Sequence, residues 1–504
     1  MRIGLLVVVV AALAGAFPAA ARPRPAVRVE TGRLIGTAES GVLAFRGIPY
    51  AAAPVGDRRW RAPARAAAWS GVRDAARYGA ACPQPSDHKE PWAQVGATSE
   101  DCLFLNVWRP AGPGVHPVMV FLHGGGFTYG AAGVPLYDGA RLARHGVVVV
   151  TLNYRLGRLG FFAHPALTRE DPDGLLGNYG IMDQIAALRW VKRNIAAFGG
   201  DAGNVTVFGE SAGAGVAQLL MGSPAASGLF DKAISESGAG GSVLVPIRGA
   251  PVSAETLGER WAESVGLKDA TTAQLRALPV EKVLGRSFPF IDGRVVVASP
   301  GTAFSRGREA KVPLLIGANS NEATLAGNGE AAARRVLGDR YDDLLKAYAA
   351  ARPGQTGKAA AVDLAEDALS ILPSFSIAAM HAANGALAYD YYFTQVPANL
   401  RAGSAGTPHG GELEYLFGNP DAGSAWDDAD RRVSEIMAGD WVRFARTGNP
   451  NPSGERGWPR VAANGAQRYL SIGTPTQPGT LSAAEQEVRK LSLAASQAGW
   501  ASER

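Results

Sequence analysis

The stretch 205–220, VTVFGESAGAGVAQLL, changes character at its centre. Residues 205–208 are β-branched and aromatic, as in a buried strand. The residues after Ser211 are small and apolar, as in a buried helix. Between them Gly209-Glu210-Ser211-Ala212-Gly213 fits G-x-S-x-G, a strand–turn–helix elbow that presents a serine. The glycines and Ala212 keep a very tight turn free of bulky side chains. The helix that begins behind Ser211 favours negative charge at its N-terminus.

Working outward, residues 118–122 (VMVFL) and 147–153 (VVVVTLN) are continuous apolar runs, the pattern of strands buried on both faces. Residues 183–198 (DQIAALRWVKRNIAAF) have helical periodicity, and 314–317 read as a further strand that ends at a loop. Strands alternating with helices predict an α/β fold with an open, mostly parallel sheet. Residues 27–50 read as short strands. The segments 222–310 and 325–400 read as mostly helical insertions over the sheet's carboxyl edge, where such sheets place their sites. No internal repeat or long linker interrupts the pattern.

Of the 504 residues, 47% are hydrophobic and 19% charged, which suits a large core and excludes a disordered chain. The net charge of +5 is mild and forms no runs, so no nucleic-acid partner is expected. Arg2, the apolar stretch 3–16 and Ala19-Ala20-Ala21 form a signal-peptide pattern with cleavage after Ala21. The expectation is an exported protein, periplasmic or secreted, whose residues 22–504 are one large domain. The two cysteines, Cys82 and Cys102, then read as a disulfide. Neither spaced Cys/His ligands nor another long apolar segment appears, so no metal, and no membrane span after cleavage, is expected.

Seven stretches extend the signal of the elbow: FRGIPYAAAPVGDRRWRAPA (45–64), SEDCLFLNVWRP (99–110), FLHGGGF (121–127), LNYRLGRLGFF (152–162), GNYGIMDQIAALRWVKRNIAAFGGDAGNVTVFGESAGA (177–214), HGGELEYLFG (409–418) and FARTGNPN (444–451). Together they resemble the type-B carboxylesterase family, which includes cholinesterases and bacterial p-nitrobenzyl esterases. The resemblance runs from about residue 28 to near 470. It implies the α/β-hydrolase fold, with large helical insertions over the site, and hydrolysis of small-molecule carboxylic esters without a cofactor.

A serine hydroxyl needs a base, and the base an orienting acid. In this fold the chain order is Ser, then Asp or Glu, then His. Of seven histidines only His381 and His409 follow Ser211. His409, in a Gly-rich loop, matches the family's catalytic histidine, whereas His381 reads as a packed or surface residue of a helix. Glu322, in the loop after strand 314–317, matches the family's acid. Asp363, Glu366 and Asp367 are rivals, but their spacing reads as the solvated face of a helix. By resemblance the oxyanion donors are the amides of Gly125, Gly126 and Ala212. Glu210 and Ser237 match residues that support the site, Ser237 by helping to hold the acid. Arg59 with Glu100, and Arg155 with Asp183, align with structural ion pairs. Trp92 lies near the position of the cholinesterases' cation-binding tryptophan, and it also reads as a packed or pocket-wall residue. A lipase, an esterase for a toxin or aromatic ester, and a non-catalytic binding protein are the alternatives to a general carboxylesterase.

Overall fold

A computed structural model describes residues 24–87, 94–172, 177–238, 240, 243–322, 329–351, 357–452, 457–463 and 467–501. The segment read as a signal peptide, and Trp92, lie outside the described residues.

The frame is an eleven-stranded sheet. Its centre is β7 (His116–Leu122), flanked by β8 (Val148–Leu152) and β9 (Gly200–Glu210). From β9 the sheet continues through β10 (Lys232–Glu236), β11 (Leu314–Asn319), β12 (Ala388–Phe393) and β13 (Arg468–Ile472). These strands are parallel. The margins are antiparallel: β14 (Gln477–Thr480) at one side, and β6 (Phe104–Pro110), β4 (Val42–Pro49) and β3 (Thr37–Glu39) at the other. A separate small sheet joins β1 (Ala26–Val29), β2 (Gly32–Ile35) and β5 (Val72–Asp74).

Alternation along each strand feeds two cores. Val118, Val120 and Leu122 face one core, with Ile181, Ile185, Leu188, Trp190 and Val191 of the helix Tyr179–Asn194. Met119 and Phe121 face the other, with Met437, Trp441 and Phe444 of the helix Asp428–Thr447. The strands of the middle are therefore buried on both faces, which is why they read as unbroken apolar runs.

Two strands lie inside segments that the sequence marks as mostly helical: β10, KAISE, and β12, AYDYYF. Their charged residues find internal partners, although one oxygen each of Glu236 and Asp390 stays buried and unpartnered. Lys232 Nζ donates to Asn204 Oδ1, and Glu236 Oε1 accepts the Trp441 indole N–H at 2.7 Å. A periodicity reading assigns such charges to a solvated helix face and misses the strand.

The disulfide joins Cys82 to Cys102, and the Arg59 guanidinium meets Glu100 through two hydrogen bonds of 2.7 and 2.5 Å. Arg155 and Asp183 pair in the same fork geometry at 2.8 and 2.7 Å. Among the described residues no helix is long and apolar enough to cross a membrane.

The register matters most for function. Leu122 of β7 sits beside Gly209 of β9, Glu210 beside Glu236 of β10, and Glu236 beside Gly317 of β11. The carboxyl ends of four strands thus finish at one level, and every candidate residue leaves from that edge.

Candidate active site

The elbow forms because nothing but glycine fits on either side of it. A Cβ on Gly213 would stand 1.9 Å from the Leu122 carbonyl oxygen, and one on Gly209 would stand 2.6 Å from it. Ser211 adopts φ 54° and ψ −119°, a strained conformation for a residue with a side chain. Its N–H donates to the Glu236 carbonyl at 2.8 Å, and its own carbonyl accepts from Gly215 N–H at 2.9 Å. The surroundings therefore hold the strain in place. The serine hydroxyl has no hydrogen-bonding partner among the described residues.

The Gly124-Gly125-Gly126 loop follows β7 directly. A Cβ on Gly124 would meet Glu210 Oε2 at 2.5 Å and Ser211 Cβ at 3.1 Å, so the loop lies against the elbow. Gly125, Gly126 and Phe127 have φ of 97°, 59° and 60°, a run that glycine makes accessible. His123 anchors the loop: its ring stacks on Tyr154 at 4.5 Å, and its carbonyl accepts the Tyr154 hydroxyl at 2.9 Å. Burial holds the imidazole of His123 down to about 4, so it is neutral. Among the described residues the N–H groups of Gly125 and Gly126 have no backbone acceptor. Ala212 is the first helical residue, whose N–H lacks an intrahelical partner.

Glu322 and His409 come together across 87 residues: His409 Nδ1 lies 2.5 Å from Glu322 Oε2. Both loops are tied. The other Glu322 oxygen accepts from Asn319 N–H at 2.9 Å. Asn319 Nδ2 donates to the Pro408 carbonyl at 2.9 Å, and Asn321 N–H to the Thr407 carbonyl at 2.9 Å. The second ring nitrogen, His409 Nε2, lies 3.1 Å from Glu210 Oε1. That contact lacks hydrogen-bond alignment, and both atoms are otherwise unpartnered. The Ser211 hydroxyl is not bonded to His409.

Ser237 is near, but it serves a different carboxylate from Glu322. Its hydroxyl donates to Glu412 Oε1 at 3.4 Å, while Asn319 Nδ2 donates to Glu412 Oε2. Glu366 and Asp367 are buried rather than solvated, and Glu366 Oε2 accepts the Glu322 N–H at 3.1 Å. His381 is a packed residue, bonded to Glu309 and the Val312 carbonyl. Asn178 holds the Phe290 backbone and Asp292. Glu412 and Glu236 are site neighbours that sequence reasoning passed over, and Glu366, weighed there as a rival acid on a solvated face, is a third. For Glu412 the available signal was its place three residues after His409.

Glu210, Glu322 and Glu412 thus act on one imidazole, with Glu366 and Glu236 buried nearby. Burial pushes Glu210 up to about 7 and Glu412 and Glu366 up to about 8, and it raises Glu236 well above the ordinary range. For His409 burial opposes the charged form, but Glu210 and Glu322 outweigh it and hold the imidazole above its ordinary value.

The edge opens into a cavity of about 690 Å³ lined by Gly126, Ser211, Ala212 and Ser237 at one part, and elsewhere mainly by apolar side chains, including Phe127, Phe161 and Trp261. The carboxylesterase family model matches residues 23–494. The chain belongs to the carboxylesterase family. It is a carboxylic ester hydrolase. It is 36% identical over 482 residues to the fumonisin B1 esterase of Sphingopyxis macrogoltabida, covering 90% of this chain and 88% of that one. It is likewise 36% identical over 460 residues to the para-nitrobenzyl esterase of Bacillus subtilis (strain 168), covering 86% and 92%. Among solved structures, a PNB esterase matches with a TM-score of 0.79 at 32% identity, over 93% of this chain and 99% of that chain. A thermophilic PNB esterase matches with the same score and identity, over 92% and 99%. The fold is the α/β-hydrolase fold of these esterases.

Proposed function

We propose that this carboxylesterase works through Ser211, Glu322 and His409, by way of an acyl-enzyme. Ser211 Oγ attacks the ester carbonyl carbon as its proton passes to His409 Nε2. Glu322, on Nδ1, fixes the tautomer and ring orientation and stabilises the imidazolium. The N–H groups of Gly125, Gly126 and Ala212 receive the oxyanion; a single such donor typically lowers the barrier by about 3 kcal/mol. His409 then returns its proton to the leaving alcohol. Water, deprotonated by the same imidazole, cleaves the acyl-enzyme and frees Ser211.

The observation that carries the reading is the 2.5 Å contact between Glu322 and His409 at the edge where the strained Ser211 emerges. An acid on Nδ1 fixes the proton of a neutral imidazole there and leaves the Nε2 lone pair to act as base. Glu210 and Ser237 are positioning residues: Glu210 faces Nε2, and Ser237 reaches the triad through Glu412 and Asn319. The chain is read as one domain over 22–504, exported after cleavage at Ala21 and cross-linked by its disulfide. The names of its relatives make para-nitrobenzyl esters and fumonisin B1 reasonable compounds to assay.

The test is hydrolysis of p-nitrophenyl acetate, butyrate and palmitate by the wild type and Ser211→Ala. Short-chain turnover that falls by about six orders of magnitude in the variant is expected, the scale of losing a triad nucleophile. A variant that keeps its rate contradicts the assignment. A preference for palmitate would move the enzyme to the lipases.

A further inference from the structure

The cavity beside Ser211 has an unusual charge pattern. Among the described residues its lining includes two arginines, Arg158 and Arg286, and no acidic residue. An apolar ester pocket has no need of a cation, and a half-buried guanidinium without a carboxylate is costly.

Arg158 is fixed in place. It lies in the short helix Gly157–Gly160, behind the oxyanion loop. Its Nη1 donates to the Leu284 carbonyl at 2.7 Å, and its guanidinium carbon lies 5.2 Å from the centre of the Trp261 ring, itself part of the cavity wall. Gly285 makes room for it, since a Cβ there would stand 2.4 Å from Nη1. Its Nε and Nη2 carry no hydrogen bond among the described residues, and they are not among the buried orphaned atoms, so they remain open to solvent. No acid among the described residues pairs with it. Burial alone acts on its charge, and lowers its pKa. Arg286 is exposed on the adjoining loop, also without a carboxylate partner among the described residues. Ser287 ties that loop to the Phe161 carbonyl, and Phe288 meets Phe127 edge-on at 6.2 Å. Both cations therefore border the same apolar space as the reactive serine.

We propose that Arg158, aided by Arg286, forms an anion subsite, and that the preferred substrates are apolar esters bearing a carboxylate elsewhere in the molecule. Nε and Nη2 present the two-pronged donor face that suits a carboxylate. The apolar walls accept the hydrocarbon body and keep the ion pair poorly hydrated. This inference rests on Ser211 being the nucleophile of the same cavity.

The experiment compares 4-nitrophenyl hexanoate with the mono-4-nitrophenyl ester of adipic acid, which replaces the terminal methyl by a carboxylate. The readout is the ratio of kcat/KM for the anionic over the neutral ester, at low salt, for the wild type, R158Q, R158K and R286Q. The wild-type ratio should exceed one. It should fall roughly tenfold in R158Q, equivalent to about 1.4 kcal/mol. R158K should restore part of it, and R286Q should lower it less. A wild-type ratio below one, or a ratio unchanged in both glutamine variants, overturns the subsite while turnover of the neutral ester leaves the Ser211 reading standing. If R158Q fails to fold, R286Q and R158K still decide through the same ratio. Failure of the wild type on both esters would overturn both readings together.

Discussion

Glu210→Gln should move the acid limb of the pH–rate profile to lower pH. In the wild type, Glu210 Oε1 stands 3.1 Å from His409 Nε2, the nitrogen proposed to accept the serine proton. At that separation two unit charges interact by about 5 kcal/mol in an effective dielectric of about 20. One pKa unit corresponds to about 1.4 kcal/mol, so the full interaction would be several units. Burial works against it, because it pushes the Glu210 carboxyl itself up to about 7 and leaves it only partly ionised near neutrality. A net displacement of about one to two units is the expected result. The sign follows from which form each charge favours. A carboxylate favours imidazolium, imidazolium cannot take a proton, and activity is therefore lost on the acid side of a raised pKa. Glutamine removes the charge and keeps the shape, so the imidazole becomes neutral at lower pH. The two groups titrate as a pair in the wild type, so its limb belongs to both, whereas the variant should show a simpler limb. The assay is kcat/KM for p-nitrophenyl butyrate across the acid and neutral range at constant ionic strength. A limb that stays in place, or moves up, refutes the electrostatic argument whatever happens to the plateau.

Other consequences can be measured on stability. Replacing Cys82 and Cys102 together by serine should cost roughly 3 kcal/mol in the chain-entropy account, read as a lower urea midpoint; an unchanged midpoint would show that the Arg59–Glu100 clamp alone holds the loop. Gly213→Ala should destabilise by about 3 kcal/mol or prevent folding, because the new Cβ would meet the Leu122 carbonyl at 1.9 Å; soluble protein with an unchanged melting temperature contradicts the geometry of the elbow. The Glu366 carboxyl is raised from 4.5 to about 8, so the folded state binds more protons than the unfolded chain between those values. Stability should then fall as pH rises through that window, and Glu366→Gln should flatten the fall; an equal slope in both proteins would place the proton elsewhere.

The elbow and the central strands were legible because each is stated locally. β7, β8 and β9 are apolar without interruption, and the glycines of G-x-S-x-G stand where a Cβ cannot. β10 and β12 were not legible, since Lys232, Glu236 and Asp390 put charged side chains in buried positions and break the apolar signal. The contact between Glu322 and His409 joins loops far apart in the chain, and no periodicity carries it; it was reachable only through the resemblance to a family. Glu366 was read as solvated, and Glu412 went unremarked, for a related reason. A glutamate on a helix or in a loop reads as solvated unless its partners are known, and their partners, the Glu322 N–H and the Asn319 amide, come from the distant end of β11. The charge of the cavity was equally hidden, because Arg158 and Arg286 converge from separate segments.

The most direct test of the central claim is mass mapping of the protein after inactivation by a fluorophosphonate. The nucleophilic role of Ser211 predicts a single adduct, on the peptide that carries Ser211, forming in step with the loss of esterase activity. Loss of activity with no adduct at Ser211, or full labelling of Ser211 with hydrolysis intact, would contradict it.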